Sequence, residues 1–203
     1  MIDYLFFNVD TQNDFMRKDG ALYIEGAEEI YRNLYQLTNF AKEKNIKVIN
    51  TCDWHNKKCE EFSNNPDYIT TFPPHCIKNT YGAEFLDLTE PEDPYIVEYD
   101  NFNLDIDKID QKRNIIIRKN TFDVFSNYST NDILKYLNPD TIIVYGVASD
   151  VCVDLVVRGL LDMDMSVCVV KDAIKELPGS KKPYVDWFFK GAILTQMKRV
   201  QKI

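Results

Sequence analysis

Hydrophobic positions along the 203-residue chain follow two rhythms. One consists of short runs that are apolar almost throughout: YLFFNV at 4–9, KVINT at 47–51, NIIIR at 114–118, TIIVYG at 141–146 and SVCVVKD at 166–172. They have strand length and are rich in β-branched residues. The other rhythm is helical. GAEEIYRNLYQLTNFAKEK at 26–44 places Ile30, Leu34, Leu37 and Ala41 on one stripe, and NDILKYL at 131–137 reads as a short helix. CVDLVVRGLLDM at 152–163 reads as a longer helix, with Gly159 as a mild blemish, and KPYVDWFFKGAILTQM at 182–197 as an amphipathic closing helix. Strands that are apolar on both faces need cover on both faces. Their alternation with helices predicts an α/β fold, a three-layer α/β/α arrangement around a central, mostly parallel sheet.

Residues 52–95 break the rhythm, being rich in Pro, Asn, Thr and charge. They read as long functional loops within a single domain spanning 1–203. A chain of this size that is 45% hydrophobic can bury one sizeable core. Its net charge of -8 and lack of a basic patch argue against nucleic acid or an anionic membrane surface as partner. No apolar run approaches the roughly 20 residues that span a bilayer. The start, MIDYLFFNVD, lacks the basic stretch and cleavage site of a signal peptide. Five cysteines without disulfide-rich spacing point to reduced thiols and a cytoplasmic location.

In open α/β sheets, ligands bind at the carboxyl ends of the strands. Asp10 follows the first apolar run, Asp53 the second and Lys119 the third, while Cys152 stands where TIIVYG gives way to a helix. A thiol at a helix N-terminus feels the positive end of the dipole, which favours thiolate, and free N–H groups there can hold an oxyanion. Cys152 reads equally as a small buried hydrophobe. Asp10 alone reads as a turn or capping residue and Lys119 alone as a solvated charge. Together with Cys152 they compose a base, a charge stabiliser and a nucleophile. Cys168 reads as a buried strand residue. The two histidines, His55 in TCDWHNKKCEEF and His75 in FPPHC, lie beside Cys52, Cys59 and Cys76. These thiols lack the paired CxxC spacing of a structural zinc site.

The motifs VDTQNDF (9–15), RKNTFDVFSN (118–127), YGVASDVCV (145–153) and VVKDA (169–173) resemble, in order, those of the isochorismatase-like cysteine hydrolases. TCDWH with FPPHCIKNTYGAEF (72–85) is similar to the nicotinamidase branch of that family. The resemblance implies Cys152 as nucleophile, Asp10 as proton carrier and Lys119 as the cation that holds the aspartate. It implies an oxyanion hole from the N–H groups of Ala148 and Cys152, and a cis peptide between Val147 and Ala148. It makes Asp53, His55 and His75 ligands of one divalent metal ion, zinc first, with manganese or iron as alternatives. Glu61 is favoured over its neighbour Glu60 as fourth ligand, and a site with only three protein ligands is the alternative. Phe15, Phe72 and Val147 would wall the substrate pocket, Phe72 standing where many nicotinamidases carry tryptophan. The implied partner is a small-molecule amide, nicotinamide, hydrolysed to nicotinate and ammonia through a cysteine thioester. The rivals are a carbamoyl or other small-amide hydrolase, a vinyl ether hydrolase of the isochorismatase type, and a non-catalytic metal-binding protein. Family members often form homo-oligomers, and the aromatics Trp187, Phe188 and Phe189 read as either core or interface.

Overall fold

Strand β1 (Ile2–Val9) runs through the middle of the molecule, and its side-chain alternation divides the core in two. Leu5, Phe7 and Val9 enter one apolar cluster and Phe6 the other, all fully buried. The structure, a computed structural model, describes residues 2–100 and 103–203. Around β1 stand β2 (Lys47–Asp53), β3 (Tyr95–Val97), β4 (Asn114–Lys119), β5 (Pro139–Val147), β6 (Val167–Lys175) and β7 (Ile193–Thr195). They form one 7-stranded sheet in the order β3-β4-β2-β1-β5-β6-β7. Every pairing is parallel, as two-sided burial of the strands requires.

The helices are α1 (Asn13–Met16), α2 (Tyr31–Glu43), α3 (Ile106–Gln111), α4 (Thr130–Leu137), α5 (Cys152–Asp162), α6 (Tyr184–Phe189) and α7 (Met197–Val200). Leu34, Leu37 and Ala41 of α2 and Met197 and Val200 of α7 join Phe6 on one face of the sheet. Ile109, Ile133, Leu134, Val153, Val157 and Trp187 bring α3, α4, α5 and α6 onto the other. The expected three-layer α/β/α architecture is therefore present. Among the described residues, no helix is long and apolar enough to cross a membrane.

Three local expectations change. The helix read over 26–44 opens with a 3-10 turn, Ala27–Ile30, behind Gly26 in a left-handed conformation. The single closing helix read over 182–197 is instead α6, β7 and α7. Gly191, at φ 103°, ends the helical path, and Ile193 to Thr195 then pair with Cys168 to Val170 at the sheet edge. Gly159 proves to be a seat rather than a blemish. A Cβ there would meet the Phe125 ring at 2.0 Å, so the missing side chain lets that ring pack against α5. Strand β3 and helix α3 went unread because three and six residues are too few to establish a period.

The connection from β1 crosses toward β2 and that from β5 crosses toward β6, on opposite sides of the sheet. The connections leaving β1 and β5 thus part in opposite directions, which makes the carboxyl edge there the natural ligand crevice.

Candidate active site

Register assembles the site. Asp53 at the end of β2 is directly opposite Lys119 at the end of β4, and paired residues of parallel strands project to the same face. Val9 pairs with Thr51 on one side and Gly146 on the other, so Asp10 emerges between β2 and β5. Gly146 is required for this approach. It sits at φ 120°, and a Cβ on it would stand 2.1 Å from the carbonyl oxygen of Val9. Asp10 itself adopts φ 49°, a left-handed conformation uncommon for a residue with a side chain, held here as β1 ends over the crevice.

Lys119 is the hub. Its ammonium is 2.9 Å from Asp10 Oδ2, donates to Asp53 Oδ1 and to the Thr121 carbonyl, and lies 3.9 Å from Cys152 Sγ. Asp10, Lys119 and Asp53 are all buried. The other oxygen of Asp10 accepts a 2.6 Å hydrogen bond from Thr51. Cys152 is the first residue of α5, and the peptide between Val147 and Ala148 is cis, as the resemblance implied. Val151 and Val153 donate to the Ala148 carbonyl, whereas the N–H groups of Ala148 and Cys152 have no backbone acceptor among the described residues. Those two donors are therefore available to an oxyanion beside the thiol.

Electrostatics separates the two carboxylates. Burial raises Asp10 above the ordinary carboxylate value, Lys119 opposes the rise, and the neighbouring Asp53 adds to it. Burial pushes Asp53 upward too, but Lys119 and the two histidines outweigh it and hold that carboxyl well below its usual range. Burial works against the charge on Lys119, and the pair of carboxylates more than compensates. One acid is thus poised to gain and lose a proton while the other stays anionic. Cys152 departs from the sequence expectation. Burial lifts its thiol well above the ordinary value, with Lys119 opposing only in part, which favours the thiol over the thiolate.

The oxygen and nitrogen donors gather on the far side of Lys119. Nε2 of His55 and Nε2 of His75 each lie 3.6 Å from Asp53 Oδ2. That spacing is long for a hydrogen bond. It is close to the roughly 3.4 Å between ligands held at about 2.1 Å around a tetrahedral ion. His75 Nδ1 lies 2.8 Å from the Pro73 carbonyl and donates to it, which leaves its Nε2 lone pair facing Asp53. His55 is fully buried, and its Nε2 has no hydrogen-bond partner among the described residues. A buried imidazole nitrogen facing a carboxylate without bonding to it fits a divalent cation between them. Glu61 is half-buried and within 4.8 Å of the His55 and Cys59 ligand atoms, and burial raises it. It faces the same cavity as Asp53 and His75, while Glu60 is exposed and lines only the outer cleft.

That cavity encloses about 90 Å³. It is far smaller than the roughly 300–1,000 Å³ typical of pockets for drug-sized ligands. Phe15, Phe72, Val147, Ala148, Cys152 and His75 all line it. Phe15 and Phe72 flank His75 with ring centroids 5.5 and 6.2 Å away. Every residue read from the sequence as substrate-facing reaches this space, with Asp10 and Lys119 behind its floor.

Several functional residues escaped the sequence reading. Thr51 bonds Asp10. Gln12 clamps Asp53, accepting from its N–H at 2.7 Å and donating to its carbonyl at 2.8 Å. Phe122 adds an aromatic wall, 6.0 Å from Phe72. Phe62 packs 5.2 Å from His55 and 5.5 Å from His75. A threonine mid-strand or a glutamine in a loop carries no pattern of its own. Gln12 inside VDTQNDF, Phe122 inside RKNTFDVFSN and Thr51 at the head of TCDWH lay within motifs, but their own roles went unread.

Comparison with known proteins agrees with this geometry. A family model described as the isochorismatase domain matches residues 106–185. Over 77 residues the chain is 36% identical to the nicotinamidase/pyrazinamidase of Mycobacterium tuberculosis, covering 38% of this chain and 40% of that enzyme. Over 179 residues it is 26% identical to the nicotinamidase of Escherichia coli, covering 82% of this chain and 80% of the relative. The crystal structure of the pyrazinamidase of Pyrococcus horikoshii in complex with zinc superposes with a TM-score of 0.76 at 24% identity, covering 96% of this chain and 99% of that one.

Proposed function

We infer that this chain, an isochorismatase-like α/β hydrolase of the nicotinamidase branch, is a metal-dependent nicotinamidase that converts nicotinamide to nicotinate and ammonia. The observation that carries the reading is Cys152 in the lining of a cavity of about 90 Å³, beside Asp53 and His75, with buried Lys119 next to the thiol and paired with Asp10. A flat, single-ring amide suits that volume and those aromatic sides. The nicotinamidase relatives support the same substrate.

Asp53, His55 and His75, with Glu61 beside them, would hold one divalent ion, zinc by the precedent of the pyrazinamidase neighbour. When bound it supplies an open Lewis-acid position for a pyridine nitrogen. Phe15 and Phe72 hold the ring, which leaves the carboxamide over Cys152. Because the thiol rests protonated, its proton passes to Asp10 as sulfur attacks the carbonyl carbon. The N–H groups of Ala148 and Cys152 hold the oxyanion. As the C–N bond breaks, Asp10 returns the proton to nitrogen and ammonia leaves, with the acyl group on sulfur as a thioester. A water molecule then gives a proton to Asp10 and attacks the thioester carbon. The C–S bond breaks, sulfur regains the proton from Asp10, and the acid departs. Lys119 keeps its charge throughout and anchors Asp10 while that carboxylate changes protonation state. A nicotinate product would suit pyridine nucleotide salvage, and five free cysteines suit a reducing cytoplasm as its setting.

The test is ammonia release from nicotinamide by metal-replete protein, beside pyrazinamide and a carbamoyl amide. We expect nicotinamide and pyrazinamide to turn over. Cys152→Ala should lower kcat on the order of 10⁴- to 10⁶-fold, while its circular dichroism and metal content match the parent. Turnover of the carbamoyl amide alone would reassign the substrate, and near-normal activity in Cys152→Ala would remove the nucleophile.

A further inference from the structure

His55 and His75 are held in different ways. The Nδ1 of His75 is tied to a backbone carbonyl, that of Pro73, which no side-chain substitution can remove. The Nδ1 of His55 lies 3.4 Å from the Sγ of Cys59. Cys59 is placed there by a tight turn: its own N–H donates to the Asn56 carbonyl, and the Phe62 N–H donates to the Cys59 carbonyl. The same turn brings Glu61 to the site and lays the Phe62 ring against His55 with centroids 5.2 Å apart. On the opposite side of the His55 ring, the fully buried Nε2 faces Asp53 with no hydrogen-bond partner among the described residues.

We propose that Cys59 is a positioning residue for the metal site, its sulfur accepting the Nδ1–H of His55 and so presenting Nε2 to the ion. The inference rests on the reading of Asp53, His55 and His75 as ligands of one divalent cation. A cation on Nε2 needs that nitrogen's lone pair, so the ring proton must sit on Nδ1, and the acceptor in reach of Nδ1 is sulfur. Ligand histidines ordinarily give this second bond to a carboxylate, carbonyl or water, and loss of such a partner typically weakens metal binding about 10- to 100-fold. Cys59 also falls with His55 and Glu61 in a second group of possible donors. One neutral imidazole cannot serve both groups at once. The unpartnered, buried Nε2 assigns the ion to the Asp53 side and gives Cys59 the outer role.

The experiment is a zinc titration of chelator-stripped protein against a chromophoric competitor, for the parent, Cys59→Ala and Cys59→Ser, with cobalt(II) spectra alongside. We expect the zinc Kd to rise about 10- to 100-fold in Cys59→Ala. Part of that loss should return in Cys59→Ser, whose hydroxyl oxygen still accepts a hydrogen bond from the His55 Nδ1–H. Parent cobalt spectra should lack a thiolate charge-transfer band. Equal zinc affinity in the parent and Cys59→Ala would overturn the positioning role alone. A charge-transfer band that disappears in Cys59→Ala would overturn it in favour of direct ligation by sulfur. A stripped parent that takes up no zinc would overturn the metal reading and this inference with it. Should Cys59→Ala fail to fold by thermal melt, Cys59→Val fills the same space without an acceptor and carries the same expectations.

Discussion

Thr51 illustrates how much of the chemistry rests on single hydrogen bonds. Its hydroxyl is the partner of Asp10 Oδ1, and that bond lowers the proton affinity of a carboxyl which burial raises. In the proposed mechanism Asp10 must be deprotonated to receive the Cys152 proton, so kcat/KM should fall as pH drops through its pKa, which burial raises. Thr51→Val removes the donor and raises Asp10 further. We expect the acid limb of the pH–rate profile to move to higher pH and the fold to lose about 1–3 kcal/mol, from a buried acceptor left unpaired. Kinetics across pH 4 to 8 with a urea titration check both, and an unmoved limb would take Thr51 out of the site. Cys152 shows the same sensitivity from the other side. Burial pushes its thiol up, so the proposed attack would depend on Asp10 taking the proton rather than on standing thiolate.

At the scale of elements, the segment between β2 and β3 does the work of a wall. Asp67 organises its outer turn, accepting from the N–H groups of Ile69, Thr70 and Thr71 and from the Thr70 and Thr71 hydroxyls. Those bonds depress the Asp67 carboxyl, with the Ile69 N–H the largest influence. The sign follows: a carboxyl depressed in the fold stabilises the turn above its unfolded value and stops doing so as pH falls through its own lower one. The turn should therefore keep its shape at pH 4. It carries Tyr68 and leads into Phe72, both of which line the cavity. Asp67→Ala should loosen this wall and raise KM for nicotinamide roughly 3- to 10-fold, with kcat changed less, the pattern expected when ground-state binding is lost. Steady-state kinetics decide it, and a loss confined to kcat would refute it. Elsewhere, α6 buries Trp187, whose Nε1 donates to Asp154 at 2.7 Å, but leaves Phe188 and Phe189 63% and 82% exposed. Of the three aromatics weighed together as core or interface, one is core.

At the scale of the whole molecule, Lys119 pairs with Asp10 and Asp53 at once and so ties the proposed metal site to the proposed proton carrier. A cation bound among Asp53, His55 and His75 binds only the folded chain, because β2 and the following loop assemble those donors. Removing it with a chelator should abolish turnover and lower Tm, since a ligand at about 100 times its Kd contributes about 2.7 kcal/mol. Differential scanning calorimetry with and without added zinc measures the shift, and identical melting curves would argue against a bound ion.

Much of this was legible along the chain. The five longer strands, the three-layer architecture and the carboxyl-edge placement of Asp10, Asp53, Lys119 and Cys152 follow from runs of apolar residues that must be covered on both faces. His55 and His75 were conspicuous because the chain has only 2 histidines. Three kinds of information came only with the folded chain. Short elements such as β3 and β7 exist because a neighbouring strand offers unpaired backbone groups, which no local pattern announces. Proton affinities depend on what packs above a residue: burial pushes the Cys152 thiol up, whereas its place at a helix start suggested a thiolate. Partners distant in sequence, Thr51 for Asp10 and Gln12 for Asp53, are set by register and loop path, which local propensity leaves open and tertiary packing decides.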